Sequence, residues 1–344
     1  MTPKSCPMTT TPRSLAFDYA VAIASLWISS GFFLDAWAHG HVPIESFFTP
    51  YHGVFYSGML AMVLVLAVYW LRHRGLPPGY RLAVLGIPIF LVAGVGDLLW
   101  HMLLGIEEGV DALLSPTHQA LGLGIFFLAS GPIRSVLADR ANSTTLALQA
   151  PLVLALAAWL TLVHFGTAYA FDPGALKTNA PPVLDSGSRA YFTGLALGYY
   201  KVSIGVLIAI FQCTVMSAFA LWMVSRISLA RGSFSLFFVL GNVAAAAAFT
   251  NETPLFSTTF AQSLATGIVA DSIVAAFDPN PDAPRYYRIF AVAVPLTYMG
   301  VYLAETLVSG GIWWDWNVAL GAWIWCGLTG FALSLIGTAR RTPA

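Results

Sequence analysis

Two segments of the chain carry histidines and carboxylates at matched spacing. The first, LDAWAHGHVPIESFFTPYHGVFYSG, holds Asp35, His39, Glu45 and His52. The second, GDLLWHMLLGIEEGVDALLSPTHQALGLG, holds Asp97, His101, Glu107 and His118. With Asp35 set on Asp97, His39 falls on His101 and Glu45 on Glu107. After a gap of four residues, Thr49-Pro50-Tyr51-His52 falls on Ser115-Pro116-Thr117-His118, and Gly58 and Gly124 each follow six residues later. A tryptophan, Trp37 or Trp100, stands between Asp and His in both copies.

The chemistry open to such a set is metal ligation. Asp and His at i and i+4 project from one helical face. A proline two residues before His52 and His118 sets a turn into a following helix, and Thr49 or Ser115 can cap it. Each hairpin then gathers Asp, His and His, with a Glu in the loop above. Imidazole with carboxylate suits zinc, iron or copper(II). The expected ligands are Asp35, His39, His52, Asp97, His101 and His118, with Glu45 and Glu107 as acid/base groups or further ligands. Without a metal, the carboxylates would still fix histidine tautomers. Single His, Trp and Asp residues are common at membrane interfaces and need no function. The repeated spacing is what favours a functional site, because ionisable groups at membrane depth are costly. His41 is less persuasive, since the second copy has Leu103 there, and His73 reads as a solvated loop residue.

These residues must be positioned by helices. Of 344 residues, 58% are hydrophobic and 9% charged, against about 25% charged in soluble domains. Apolar runs long enough for the ~30 Å hydrocarbon layer recur throughout. The expectation is an all-α integral membrane protein with helices at about 15–37, 53–71, 81–104, 118–137, 145–170, 193–224, 233–250, 257–277, 288–308 and 315–338. The eighth is polar enough to be buried or re-entrant. One polytopic domain, 1–344, is expected, with repeat hairpins at 15–71 and 81–137 and the remaining helices at 145–338. Tandem repeats of this kind are a usual way to build membrane proteins.

Threading ten helices puts Lys4, Arg13, Arg72, Arg74, Arg81, Arg134, Arg140, Arg226, Arg231, Arg285, Arg288, Arg340 and Arg341 on one side, and Lys177, Arg189 and Lys201 on the other. That bias places both termini in the cytoplasm and the histidine ends outside a cell membrane. The first apolar run reads as a spanning helix and not as a removable signal peptide. Zero net charge and no basic tail exclude nucleic acid as a partner; the lipid bilayer is the expected one. Cys6, Cys213 and Cys326 form no CxxC pair and read as packing residues. Nucleotide-binding loops, a serine-hydrolase elbow, the membrane di-iron histidine pattern and a Met-rich copper(I) tract are all absent. Lys201 begins a helix, which does not suit a retinal Schiff base.

The stretches LDAWAHGH…FFTPYHGVFYSG and GDLLWH…GIEEGVDALLSPTH resemble a group of uncharacterised multipass bacterial membrane proteins. The resemblance covers the first four helices and implies no activity. Asp35, His39 and His52 follow D-x3-H-x12-H, similar to a copper-ligand pattern in the C subunit of particulate methane and ammonia monooxygenases. That likeness implies copper at the first triad. The second copy departs from it as D-x3-H-x16-H, and the ten-helix plan does not resemble that subunit. Three functions follow as expectations. One is a metal-dependent oxidoreductase acting on a small or lipid-like substrate. Another is a metal-ion or proton-coupled transporter, with Asp271 and Glu305 further along a path. The third is a haem-binding or structural membrane subunit with histidines as axial ligands. The near-apolar inner halves of helices one to four favour a site over a path. His164, Glu252 and Asp315 lie near the same face and read as interface or buried hydrogen-bonded residues.

Overall fold

A backbone surrounded by lipid must satisfy its own N–H and C=O groups, and long apolar runs therefore become helices. The computed structural model of the chain describes residues 13–42, 46–107, 112, 114–139, 145–167, 189–249, 253–308 and 314–338. Among them are ten helices and no strand: α1 Leu15–His41, α2 Pro50–His73, α3 Arg81–Leu104, α4 Pro116–Ala138, α5 Leu146–Gly166, α6 Arg189–Arg226, α7 Ser233–Phe249, α8 Thr253–Phe277, α9 Pro284–Val308 and α10 Trp316–Thr338. Nine described helices are long and apolar enough to cross a membrane. The protein is thus an all-α multipass membrane protein, as its composition indicates. The short element is α7, whose apolar stretch is Ser233–Ala244. The sequence singles out the next helix as doubtful instead. There α8 is continuous, because its polar residues turn inward: Gln262, Ser263 and Thr266 are buried, and Thr266 donates to the Gln262 carbonyl.

The chain divides into two compact units, Met1–Gly166 and Thr167–Ala344. In the first, α1 packs on α2, α4 and α5, α3 packs on α4, and α4 on α5. Helix pairs approach closely where a glycine removes the side chain, the usual route to tight packing without a hydrophobic driving force. A Cβ on Gly31 would stand 2.5 Å from Phe55 Cβ, and one on Gly86 would stand 2.5 Å from the Gly124 carbonyl oxygen. Gly58 lies against Ile28 and Gly124 against Phe90. Ile28 and Phe90 are themselves matched when Asp35 is set on Asp97, so both hairpins close through corresponding pairs.

The first unit is pinned at the end away from the histidines. Asp18, fully buried on α1, accepts from Arg13 (2.8 Å), the Tyr80 hydroxyl (2.7 Å) and Ser135 (3.1 Å). Arg13 also donates to Asp139 and to the Leu148 carbonyl. This ties α1 to α4, α5 and the turn before α3. Burial, with Asp18 beside it, pushes the Tyr80 hydroxyl well above its ordinary pKa and keeps it a donor. Local spacing does not reveal this network, because Asp18 has no ionic partner three or four residues away.

In the second unit α9 packs on α6, α8 and α10, and α7 packs on α8. Cys213 and Cys326 meet there as buried thiols on α6 and α10, in keeping with a packing role. Asp271 on α8 accepts from the backbone N–H of Phe234 and Ser235, both at 3.0 Å, and from the Ser235 hydroxyl at 2.7 Å. Its carboxylate caps the first turn of α7, where a negative group also meets the favourable end of the helix dipole.

Candidate metal centre

Helices α1 and α3 end, and α2 and α4 begin, at the same end of the first unit. The α2 start lies at Pro50 and the α4 start at Pro116, a few residues before the positions expected from hydrophobicity. Proline at the first helical position supplies the φ a helix needs without forfeiting a hydrogen bond. Thr49 caps α2 by accepting from the His52 N–H at 3.1 Å. Ser115 departs from the expected role: it makes no side-chain cap, and its hydroxyl pairs with Thr117 at 2.9 Å. Thr117 in turn donates to Asp97 Oδ1 at 2.8 Å. The second hairpin therefore spends this hydroxyl pair on holding its carboxylate.

Each carboxylate meets two imidazoles. Asp35 lies 3.5 Å from His39 Nε2 and 3.2 Å from His52 Nδ1. Asp97 lies 3.6 Å from His101 Nε2 and 3.1 Å from His118 Nε2. The carboxylates and all four imidazoles are nearly withdrawn from solvent. The two copies also meet one another. Ring centroids of His39 and His101 stand 6.1 Å apart, His39 and His52 6.1 Å, and His52 and His101 6.3 Å. Phe47, from the first loop, lies 4.6 Å from His52 and 6.1 Å from His101 between ring centroids, so an aromatic ring borders two of the imidazoles.

The hydrogen-bond ledger of this cluster is incomplete. Asp35 Oδ1, both nitrogens of His39, His52 Nε2, His101 Nε2 and Asp97 Oδ2 are buried without an aligned hydrogen-bond partner. The Asp35–His52 contact is short in distance but does not satisfy Asp35 Oδ1 as a hydrogen bond. Buried polar atoms are normally paired, and each exception asks for an explanation. These atoms are also the donor set that divalent transition metals take. Asp35, His39 and His52 each offer an atom within 4.8 Å of the other two, and so do His52, Asp97 and His101. Both groups could hold a metal ion.

Five of the six expected ligands fall in these groups. His118 does not: its Nδ1 bonds the Ala112 carbonyl at 2.5 Å and its Nε2 faces Asp97. Glu107 accepts from Trp100 Nε1 at 2.5 Å, and its other oxygen is buried without a partner. Glu45 lies outside the described residues, as do Glu252 and Lys177. His41 turns away and stacks on Trp37. His164 is buried near the end of α5, Glu305 is half-buried on α9, and Asp315 is exposed.

Tyr56 was not singled out in the sequence. It lies one turn beyond His52 and stacks with it at 6.3 Å between centroids. Its hydroxyl is buried without a hydrogen-bond partner and fits where Gly94 lacks a Cβ. The spacing of four from His52 was the available signal. Comparison of the chain with protein-family models, curated proteins and solved structures finds no match.

Proposed function

We propose that this is a membrane metalloprotein whose centre is built by Asp35, His39, His52, Asp97 and His101. The observation that carries the reading is the convergence of buried, unpaired carboxylate and imidazole atoms from three helices, α1, α2 and α3, on one place. An apolar interior would not retain such atoms without a return. Copper, iron and zinc suit the donors, and the D-x3-H-x12-H likeness of the first triad favours copper. The ion would supply Lewis acidity or electron transfer, and an oxidoreductase acting on a small or lipid-like substrate is the activity such a centre serves best.

A fixed centre is favoured over a transport path by what lies below it. Phe32, Phe55, Met59, Phe90, Leu121 and Ile125, on α1 to α4, are buried beneath the histidines. Asp271, one of the two residues expected along a path, is engaged in capping α7. The cluster end is the extracytoplasmic one in this reading, because Arg13, Arg72, Arg74, Arg81 and Arg134 lie at or near the opposite helix ends. Elemental analysis of the purified protein, with an optical spectrum, tests the proposal. Stoichiometric copper, iron or zinc that His52→Ala abolishes is the expected result. A metal-free wild-type protein that takes up none of these ions overturns it.

A further inference from the structure

We infer that the centre is dinuclear and that His52 is the ligand shared between its two positions. The inference rests on the metal-centre reading above and goes on to its nuclearity. His52 is the one residue common to the two groups: Asp35 and His39 belong to the first only, and Asp97 and His101 to the second only. Among the described residues no group of four or five donors meets the same separation. An ion with ligand distances of ~2.0–2.2 Å holds all its donors within about 4.4 Å of one another. Two overlapping triads therefore describe two positions better than one.

The imidazole separations say the same. Three imidazoles bound at ~2.0–2.1 Å and spread evenly around one ion have ring centroids no more than about 5.6 Å apart. The rings of His39, His52 and His101 form a triangle with sides of 6.1, 6.1 and 6.3 Å. That is too wide for one ion, while a ring between two ions is served by both of its nitrogens. His52 has Nδ1 on the Asp35 side, 3.2 Å from the carboxylate, and Nε2 buried with no hydrogen-bond partner. Thr49 Oγ1, 3.0 Å from Nδ1, holds the ring in place until an ion takes that nitrogen. Asp97 completes the second position with Oδ2, because Oδ1 is engaged by Thr117 and His118. A ring that ligates through both nitrogens releases its N–H proton to solvent as the second ion binds.

Copper(II) alone is the probe, added to the full chain in detergent, with bound metal and electron paramagnetic resonance read together. The wild-type protein is expected to bind two ions with a signal several-fold weaker than two isolated ions give, because the shared ring couples them. His39→Ala and His101→Ala should each retain one ion at full signal, and the double variant none. Asp35→Asn provides the first arm independently, should His39→Ala not fold. One ion in the wild type that either histidine variant abolishes overturns the dinuclear centre while leaving the metalloprotein intact. Two ions with undiminished signals overturn the sharing of His52. No copper in the wild type overturns copper as the metal and, if iron and zinc are also refused, the proposed function itself.

Discussion

His118 meets Asp97 through Nε2 at 3.1 Å, whereas His52 meets Asp35 through Nδ1 at 3.2 Å. The Ala112 carbonyl meets His118 Nδ1, so that both nitrogens of this ring are engaged within the protein. In the shorter first loop Thr49 and Asp35 share Nδ1 of His52, and Nε2 is left over. Two histidines at matched places in the sequence are thus set differently: His52 keeps Nε2 available to the proposed centre, and both nitrogens of His118 are engaged, one of them facing Asp97.

His118→Ala is accordingly expected to weaken metal binding by about 10–100-fold, the usual effect of losing a group that orients a ligand. It should not abolish binding, whereas His52→Ala should. Competition against a chelator of known affinity separates the two. Equal, complete loss in both variants would make His118 a direct ligand.

Close approach of α1 and α2 is required to bring Asp35 to His52. Gly31→Ala sets a Cβ 2.7 Å from Phe55 Cα, where backbone and not a flexible tip must yield. Gly53, on the same helix as Phe55, has nothing within 4 Å of an added Cβ. Gly31→Ala should lower both thermal stability and metal occupancy. Gly53→Ala should leave occupancy unchanged and stabilise the helix by up to about 1 kcal/mol. Thermal unfolding in detergent and metal analysis of the two variants provide the check.

Asp18 offers a test of stability without chemistry. Asp18→Ala leaves Arg13, itself nearly buried, with Asp139 as its remaining acidic partner. Removal of one side of a buried pair costs about 3 kcal/mol. The variant should unfold at markedly lower temperature while binding its full complement of metal when folded, since the Asp18 network lies ~25 Å along α1 from Asp35. Loss of metal without loss of stability would contradict this division of labour.

Much of this was legible in the sequence, and the limits follow from what local spacing encodes. Apolar run length gives ten helices, and the boundaries of α3 coincide with the expected 81–104. The i, i+4 spacing places Asp35 beside His39 and Asp97 beside His101, because both partners sit on one helix. It cannot say that His52 is central, since this depends on how α1, α2 and α3 meet. It cannot separate His52 from His118 either, because a loop carbonyl decides between them. Asp271 reads from the sequence either as a path residue or as a group bonded to a neighbouring helix, and spacing cannot choose between them; the α7 backbone that satisfies it comes from another helix. Asp18 was overlooked for the same reason.

The last prediction concerns Asp271 and Arg74, which together decide whether ions cross the protein and which way it faces. Capping of α7 by Asp271 is worth about 1 kcal/mol, so Asp271→Asn should lower stability slightly and leave metal content unchanged. A transporter with Asp271 on its path would instead lose metal uptake in vesicles altogether. The orientation is tested on intact cells with a membrane-impermeant thiol reagent. Arg74 ends α2 with φ 55° at the end remote from the histidines. Phe48, 82% exposed, precedes α2 at the histidine end. Arg74→Cys should therefore remain unlabelled until the cells are opened, and Phe48→Cys should label at once. Neither native buried cysteine, Cys213 or Cys326, competes for the reagent in folded protein. Labelling of Arg74→Cys in intact cells would invert the topology and place the metal centre in the cytoplasm, where the ions available to it, and the redox chemistry it could perform, are different.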